Sequence, residues 1–500
     1  MSKKDKLIWH DNEWTFELLE KTDKIIGNIA REKYGITHFP NQLEDISSEQ
    51  MIDAYASHAM PSMYNHWSFG KSFVQNETNY KRGRMGLAFE VVINSDPCVA
   101  YIMEENTMAM MALVIAHASY GHNNFFKENY LFQYWTSPDS IIDYQVFAKN
   151  YIKDCEEKYG LEAVEGVLDS AHALMNHGID KYKKPKKLSK EKELQRINER
   201  DSYRRRQVDD LWKTLPPIKK EEVTEQKEFL SEPQENILYF AEKNAPLLAD
   251  WQRELISIVR KNAQYFYPQM QTRVMNEGWA SFWHYTLMND LWEQDYIDDG
   301  HMLEILKSHT NVVFQPDWDD KRYNGLNPYC LGFNMFMDIK RICEDPTEED
   351  NKWFPNLVNK DWLTEVTYAM KNFKDESFIL QYLSPKVIRD MKLLIIEDHE
   401  DNPEYRVSSI HDDSGYKTIR ERLAQQYETS NFIPDIQVTD FDIKGDRTLF
   451  LRHTQRNSVP LSDSADEMMK HLRRLWGYNV ILESYDPDTD EVTEAYGELD

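Results

Sequence analysis

The run Met108–Ala118, MAMMALVIAHA, contains no Asp, Glu, Lys or Arg and closes on a histidine followed by an alanine. A membrane-spanning helix needs roughly twenty apolar residues, and no window elsewhere in the chain approaches eighteen, so this run reads as a helix packed into a protein core. Such a helix has to be surrounded, and a chain of 500 residues with 41% hydrophobic and 13% aromatic side chains supplies the surroundings. That length exceeds what one hydrophobic core ordinarily serves, so two or three structural units are expected.

Charge narrows the choice of partners. Against 59 basic side chains stand 86 acidic ones, a formal charge of -27, which repels nucleic acid and anionic membrane at long range. The N-terminal MSKKDKLIWHDNEW is interrupted by charges every few residues, and the four cysteines (Cys98, Cys155, Cys330, Cys343) are scattered without a CxxC pair. These features are expected of an unexported chain in a reducing cytoplasm, with no integral membrane segment.

Most of the chain has helical periodicity. The spacing predicts a helix pair over residues 9–35 and a helix over 46–60 ended by Pro61, with Gly70 as a break and a polar turn at VQNETNYKRGRMG. LAFEVVINSDP breaks the pattern: its β-branched and aromatic residues predict one or two strands, from Leu87 to Ile93, closed by the NSDP turn. Residues 1–180 therefore form an N-terminal helical part with a strand, and 181–232 a charged connector that includes the Pro216–Pro217 pair. Helical patterning resumes over 233–425 as part of the same core. From 426 to 500 the order IQVTDFDI, TLFLRHT, ADEMMKHLRRLWG, YNVILESYD predicts a small α+β domain.

Histidines dominate the candidate chemistry. His117 and His122 are five apart, about 140° from each other on an ideal helix, whereas a metal pair on a helix takes the i, i+4 spacing of HExxH. Gly121 offers a bend that would swing the second ring back. His172 and His177 repeat the spacing, with Asp169 one turn ahead. In MNEGWASFWHYT, Glu277 and His284 share a helical face but lie roughly 10 Å apart along it, so one can bind an ion while the other acts behind it, with Ser281 between them to bridge. His309 adds a further imidazole. Two histidines and a carboxylate around an open position suit a catalytic zinc. The alternative is a hydrogen-bonded core role for the same histidines. In HExxH enzymes a glutamate follows the first histidine and takes a proton, but here Ala118 stands there, which leaves Glu104 or Glu105, just ahead of the Met-rich helix, as the candidate base.

The strings MPSMYNHWSFGKSF, AHASYGHNNFFKENYLF, SAHALMNHGIDKY, FYPQMQTRVMNEGWASFWHYT, SHTNVVFQP and NPYCLGFNMFMDIKRICEDPT resemble the stage V sporulation protein R family of bacterial proteins over nearly the whole chain. The resemblance implies a link to spore cortex peptidoglycan or to a stationary-phase stress response. It also implies a PrkA-type serine kinase and a protein with a von Willebrand A-like domain as partners. More distantly, Gly121–His122 followed by EGWA at Glu277–Ala280 is similar to gluzincin-like metallopeptidases. That similarity implies His117, His122 and Glu277 as metal ligands; the expected ion is divalent, zinc first, with His284, His172 and His309 expected behind the ligands or in proton transfer. The expected fold is mainly α with a small β element: a zincin-like helical core plus the C-terminal α+β domain. The expected activity is metal-dependent hydrolysis of a peptide or peptidoglycan-precursor amide; the alternative is a non-catalytic regulator in the kinase pathway.

Overall fold

Thr15 and Gly35 bracket the first helix of the computed structural model, which describes residues 6–57, 60, 63–82, 90–182, 233–397, 406–409, 411–428, 433–442, 445–456, 460–462 and 464–497. The Thr15 hydroxyl accepts from Leu18 N at 3.2 Å, and Gly35 ends the helix in the left-handed region at φ 64°. The result is one helix, α1 (Phe16–Tyr34), where a pair was expected. A capping box at Ser47 starts α2 (Ser48–Ala56). Gly70 does not break the chain but lies inside α3 (Trp67–Lys81), whose last turns take up most of the supposed polar turn.

Among the described residues this part holds three strands. β1 (Asn41–Ile46) runs parallel to β3 (Cys98–Met103), and β2 (Glu90–Ile93) pairs antiparallel with the other side of β3. The order β1-β3-β2 leaves β2 at an edge. Periodicity missed β1 because NQLEDI has only two aliphatic positions, Leu43 and Ile46, whose spacing of three does not match the strand period of two. Leu87–Phe89 of the expected strand, and all but the first two residues of the 181–232 connector, lie outside the described residues.

The apolar run forms α4 (Met108–Ile115), capped by Thr107 and buried at every position. It passes without interruption into a π-helix, Ala116–His122, and then α5 (Asn123–Glu128). Beside it runs α6 (Arg273–Glu293), followed by α7 (Asp299–Val312), α8 (Pro328–Glu344) and α9 (Asp375–Tyr382). Glycines set how closely these pack. A Cβ on Gly121 would sit 2.5 Å from Ala280 Cα, so the π-helix and α6 touch backbone to backbone, and Gly278 of α6 meets Gly332 of α8 in the same way. Trp279, Phe282, Trp283 and Phe336 fill the core around the crossing. The two-stranded ribbon of β4 (Ile395–Glu397) and β5 (Arg406–Ser409) follows.

The chain divides into two compact units, Met1–Leu168 with Lys261–Ile433, and Asp169–Arg260 with Pro434–Asp500. The second holds the sheet β6 (Asp435–Phe441), β7 (Leu449–Thr454), β8 (Val480–Tyr485), β9 (Val492–Tyr496), with α10 (Ala465–Trp476) linking the parallel pair β7 and β8. These strands and the helix fall where the change of period put them, with β9 added. The chain before Arg260 contributes too: Phe240 stacks on Trp476 at 5.8 Å, and Gln234 bridges to Val438. The protein is mainly helical. Among the described residues no helix is long and apolar enough to cross a membrane.

Candidate metal centre

The π-helix resolves the five-residue spacing. Its i→i+5 hydrogen bonds close a turn in about five residues instead of four, so His117 and His122 fall on one face. Their rings stand 4.6 Å apart at 83°. Gly121 serves close packing against Ala280 and not the expected bend. The extra residue is held from outside: the Tyr120 hydroxyl donates to the Asp23 carboxylate at 2.8 Å, and Asn123 donates to the Phe39 carbonyl at 2.9 Å.

Glu277 enters from α6. Its Oε2 lies 3.5 Å from His122 Nε2 and 3.9 Å from His117 Nε2. A fourth group, unforeseen, comes from the edge strand: Glu90 Oε1 is 3.6 Å from His117 Nε2. The ligand atoms of Glu90, His117 and His122 all lie within 4.8 Å of one another. His117 Nε2 and Glu277 Oε2 are both buried and have no hydrogen-bond partner among the described residues. Buried polar atoms left in this way are rare and demand a cause. Two imidazole nitrogens and carboxylate oxygens spaced a little wider than hydrogen bonds, around one point, make a donor set that fits zinc or a similar divalent ion.

The far side of each ring is also occupied. His122 Nδ1 lies 2.9 Å from Asn276 Oδ1; an amide oxygen only accepts, so His122 carries its proton there and its Nε2 faces Glu277 with a free lone pair. His117 Nδ1 lies 2.8 Å from His284 Nδ1, and His284 Nε2 lies 2.7 Å from His309 Nδ1. Tyr329, at the start of α8, lies over His117 with the rings 17° from parallel.

Electrostatics separates these groups. Burial works against charge on His117, but Glu277 and Glu90 outweigh it and hold its pKa above the usual imidazole range. Burial pushes His122 down to about 4, with His117 adding to the effect, and drives His309 to about 4 and His284 well below its ordinary value. Burial also raises Glu90, helped by the neighbouring Glu277 charge. For Glu277 burial acts upward, but His122 and His117 prevail and hold it down. Burial and the two carboxylates raise the Tyr329 phenol well above its ordinary range, so it stays a hydrogen-bond donor.

Of the sequence candidates, His117, His122, Glu277, His284 and His309 come together. Glu104 and Glu105 are exposed in the turn before α4, while the carboxylate facing the histidines is Glu90. Ser281 Oγ makes no hydrogen bond to Glu277 or His284 among the described residues, so it does not bridge them. His172 lies in the Leu161–Ala173 helix and His177 in a 3-10 turn, both assigned to the second unit. Sequence reasoning missed Glu90 and Tyr329; a lone glutamate ahead of a β-branched run carries no local signature.

Comparison with known proteins agrees with the scale of the fold. Residues 13–432 match the family described as SpoVR like protein, and residues 434–487 match the SpoVR-like C-terminal domain. The "Uncharacterized protein YcgB" of Escherichia coli (strain K12) is 53% identical over 489 residues, covering 98% of this chain and 96% of that protein. No solved structure matches. With both family regions present in order, and a relative this similar from end to end, the chain belongs to the SpoVR family.

Proposed function

We propose that the protein is a cytoplasmic metal-dependent hydrolase with a zincin-like core, acting on a peptide or peptidoglycan-precursor amide, and that His117, His122 and Glu277 hold its ion. The observation that carries this reading is the pair of orphaned buried atoms, His117 Nε2 and Glu277 Oε2, aimed at one point with His122 Nε2 beside them. A divalent ion held there supplies Lewis-acid polarisation of a carbonyl and an activated water with a pKa lowered towards about 7.

The chain's own residues do the rest. Asn276 fixes the His122 tautomer. Glu90 stands in for the glutamate that Ala118 lacks: it approaches His117 from the strand side and is placed to take a proton in the reaction. Tyr329 keeps its phenolic proton and can donate to negative charge developing on a carbonyl oxygen. The edge of β2 next to Glu90, unpaired among the described residues, offers backbone groups along which an extended substrate can lie.

One observation favours a second reading. Glu90 and Glu277 together with the two histidines make four donors, enough to close a structural zinc site. In that case the protein is a non-catalytic partner in a PrkA-type serine kinase and von Willebrand A-like stress pathway.

The test is the metal content of protein purified without chelators or a His-tag, for the parent, His117→Ala and Glu277→Ala. About one zinc per chain in the parent, lost in both variants at unchanged helical content, is the expected result. A folded parent that takes up no zinc when zinc is added overturns the hydrolase.

A further inference from the structure

Three histidines form an unbroken line leading away from the metal centre, His117 on the π-helix, His284 on α6 and His309 on α7, joined at 2.8 and 2.7 Å. Between two neutral imidazoles one nitrogen donates and the other accepts. A His117 that offers its Nε2 lone pair to an ion carries its hydrogen on Nδ1 and donates it to His284 Nδ1. His284 is then protonated on Nε2 and donates to His309 Nδ1, which leaves the His309 hydrogen on Nε2. One choice fixes all three rings. The reversed line puts a hydrogen on His117 Nε2 and closes that position to an ion.

We infer that His284 and His309 are positioning residues that lock His117 in its ion-accepting tautomer. The inference rests on the metal reading above and deepens it.

The surroundings hold the rings in place. The His284 and His309 rings meet at 4.9 Å and 89°. His309 is wedged between Tyr285 at 5.0 Å and Phe333 at 4.8 Å, so its ring is fixed by packing from α6 and α8. A ligand histidine usually gives its second N–H to a carboxylate or a carbonyl, and losing that acceptor weakens metal binding by about 10- to 100-fold. Here the acceptor is an imidazole, which accepts only while its own hydrogen is on the far nitrogen, and His309 is what holds it there.

The test uses full-length protein and zinc alone, with affinity read by chelator competition and folding by circular dichroism. His284→Leu removes the acceptor and is expected to bind zinc about 10- to 100-fold more weakly. His284→Asn places an amide oxygen near the lost Nδ1 and is expected to stay within about threefold of the parent. Nitrogen-15 histidine spectra of the zinc-loaded parent should show His284 and His309 as Nε2–H tautomers. A folded His284→Leu that binds zinc like the parent, or His284 seen as the Nδ1–H tautomer in the loaded parent, overturns the inference. If His284→Leu does not fold, the tautomers of the parent still decide. A parent that binds no zinc overturns the metal centre itself, whereas an indifferent His284→Leu in a zinc-binding background overturns only the locking role.

Discussion

His117 and His122 lie five residues apart, yet their rings are 4.6 Å from each other and both Nε2 atoms are turned to Oε2 of Glu277. An α-helix would hold them on different faces. One residue more than an α-turn, absorbed as a single π-turn, makes them a pair.

Removing that residue should therefore preserve the pair. Deleting Ser119, whose hydroxyl has no hydrogen-bond partner among the described residues, returns the run to α-helix with the histidines four apart on one face. The deletion variant is expected to keep its helical signal and its zinc. Inserting an alanine after Ser119 should abolish uptake. A folded deletion variant without zinc would sink this account of the turn.

Protons and metal compete for His117. Its pKa is raised by Glu277 and Glu90 against the effect of burial, so in the metal-free protein the ring holds its proton to higher pH than usual, and zinc must displace it. Affinity should therefore fall as pH falls through this raised pKa. Glu90→Gln removes one of the two supporting charges, so the midpoint of the pH–affinity curve should move to lower pH. Titration calorimetry across pH 5 to 9, an approximate window, reads both, and an unmoved midpoint rejects the role given to Glu90.

Backbone-to-backbone contacts leave no room for a methyl group. Gly121→Ala would press its Cβ against Ala280, and Gly278→Ala would press against the Gly332 backbone, so each should destabilise the first unit by about 1–3 kcal/mol or more. Urea unfolding measures the loss. Gly70→Ala, exposed inside α3 with nothing among the described residues within 4 Å of the added carbon, is the control expected to be neutral or better.

The carboxylate of Asp375 accepts from Val274 N and Met275 N, both at 2.8 Å, at the start of α6. Burial outweighs those hydrogen bonds and raises its pKa to about 7. The folded state then holds a proton that the unfolded state releases above 3.8, so the stabilisation is fully present below 3.8 and is lost as pH rises through about 7. Asp375→Asn can supply one oxygen in place of two and should cost about 1–2 kcal/mol, most at low pH and least near neutrality. A cost that grows from pH 4 to 7 would contradict the raised pKa.

What was legible in the sequence follows the range of each signal. The mainly helical character, the C-terminal β-β-α-β order and the burial of MAMMALVIAHA are local and periodic and are found in the structure, whereas the helix pair expected over 9–35 is one helix and the expected break at Gly70 lies inside α3. His117, His122, Glu277, His284 and His309 were legible as residue types near one another in motifs. The π-turn was not, because helical spacing assumes 3.6 residues per turn and one inserted residue leaves no compositional trace. Nor was Glu90, which reaches the site only through the register of β2 against β3. Nor was Tyr329, which the resemblance string NPYCLGF contains but which α8 alone aims at His117.

The contact between Gly278 and Gly332 has a mechanical consequence. With no side chain between them, α6 and α8 cannot slide or tilt past each other without moving main chain, so Glu277 and Tyr329 ride on one stiff beam. Glu90 is carried instead by a strand that, among the described residues, is bonded along one side only. Of the carboxylates facing the histidines, one is bolted to the helical frame and the other is carried by the sheet.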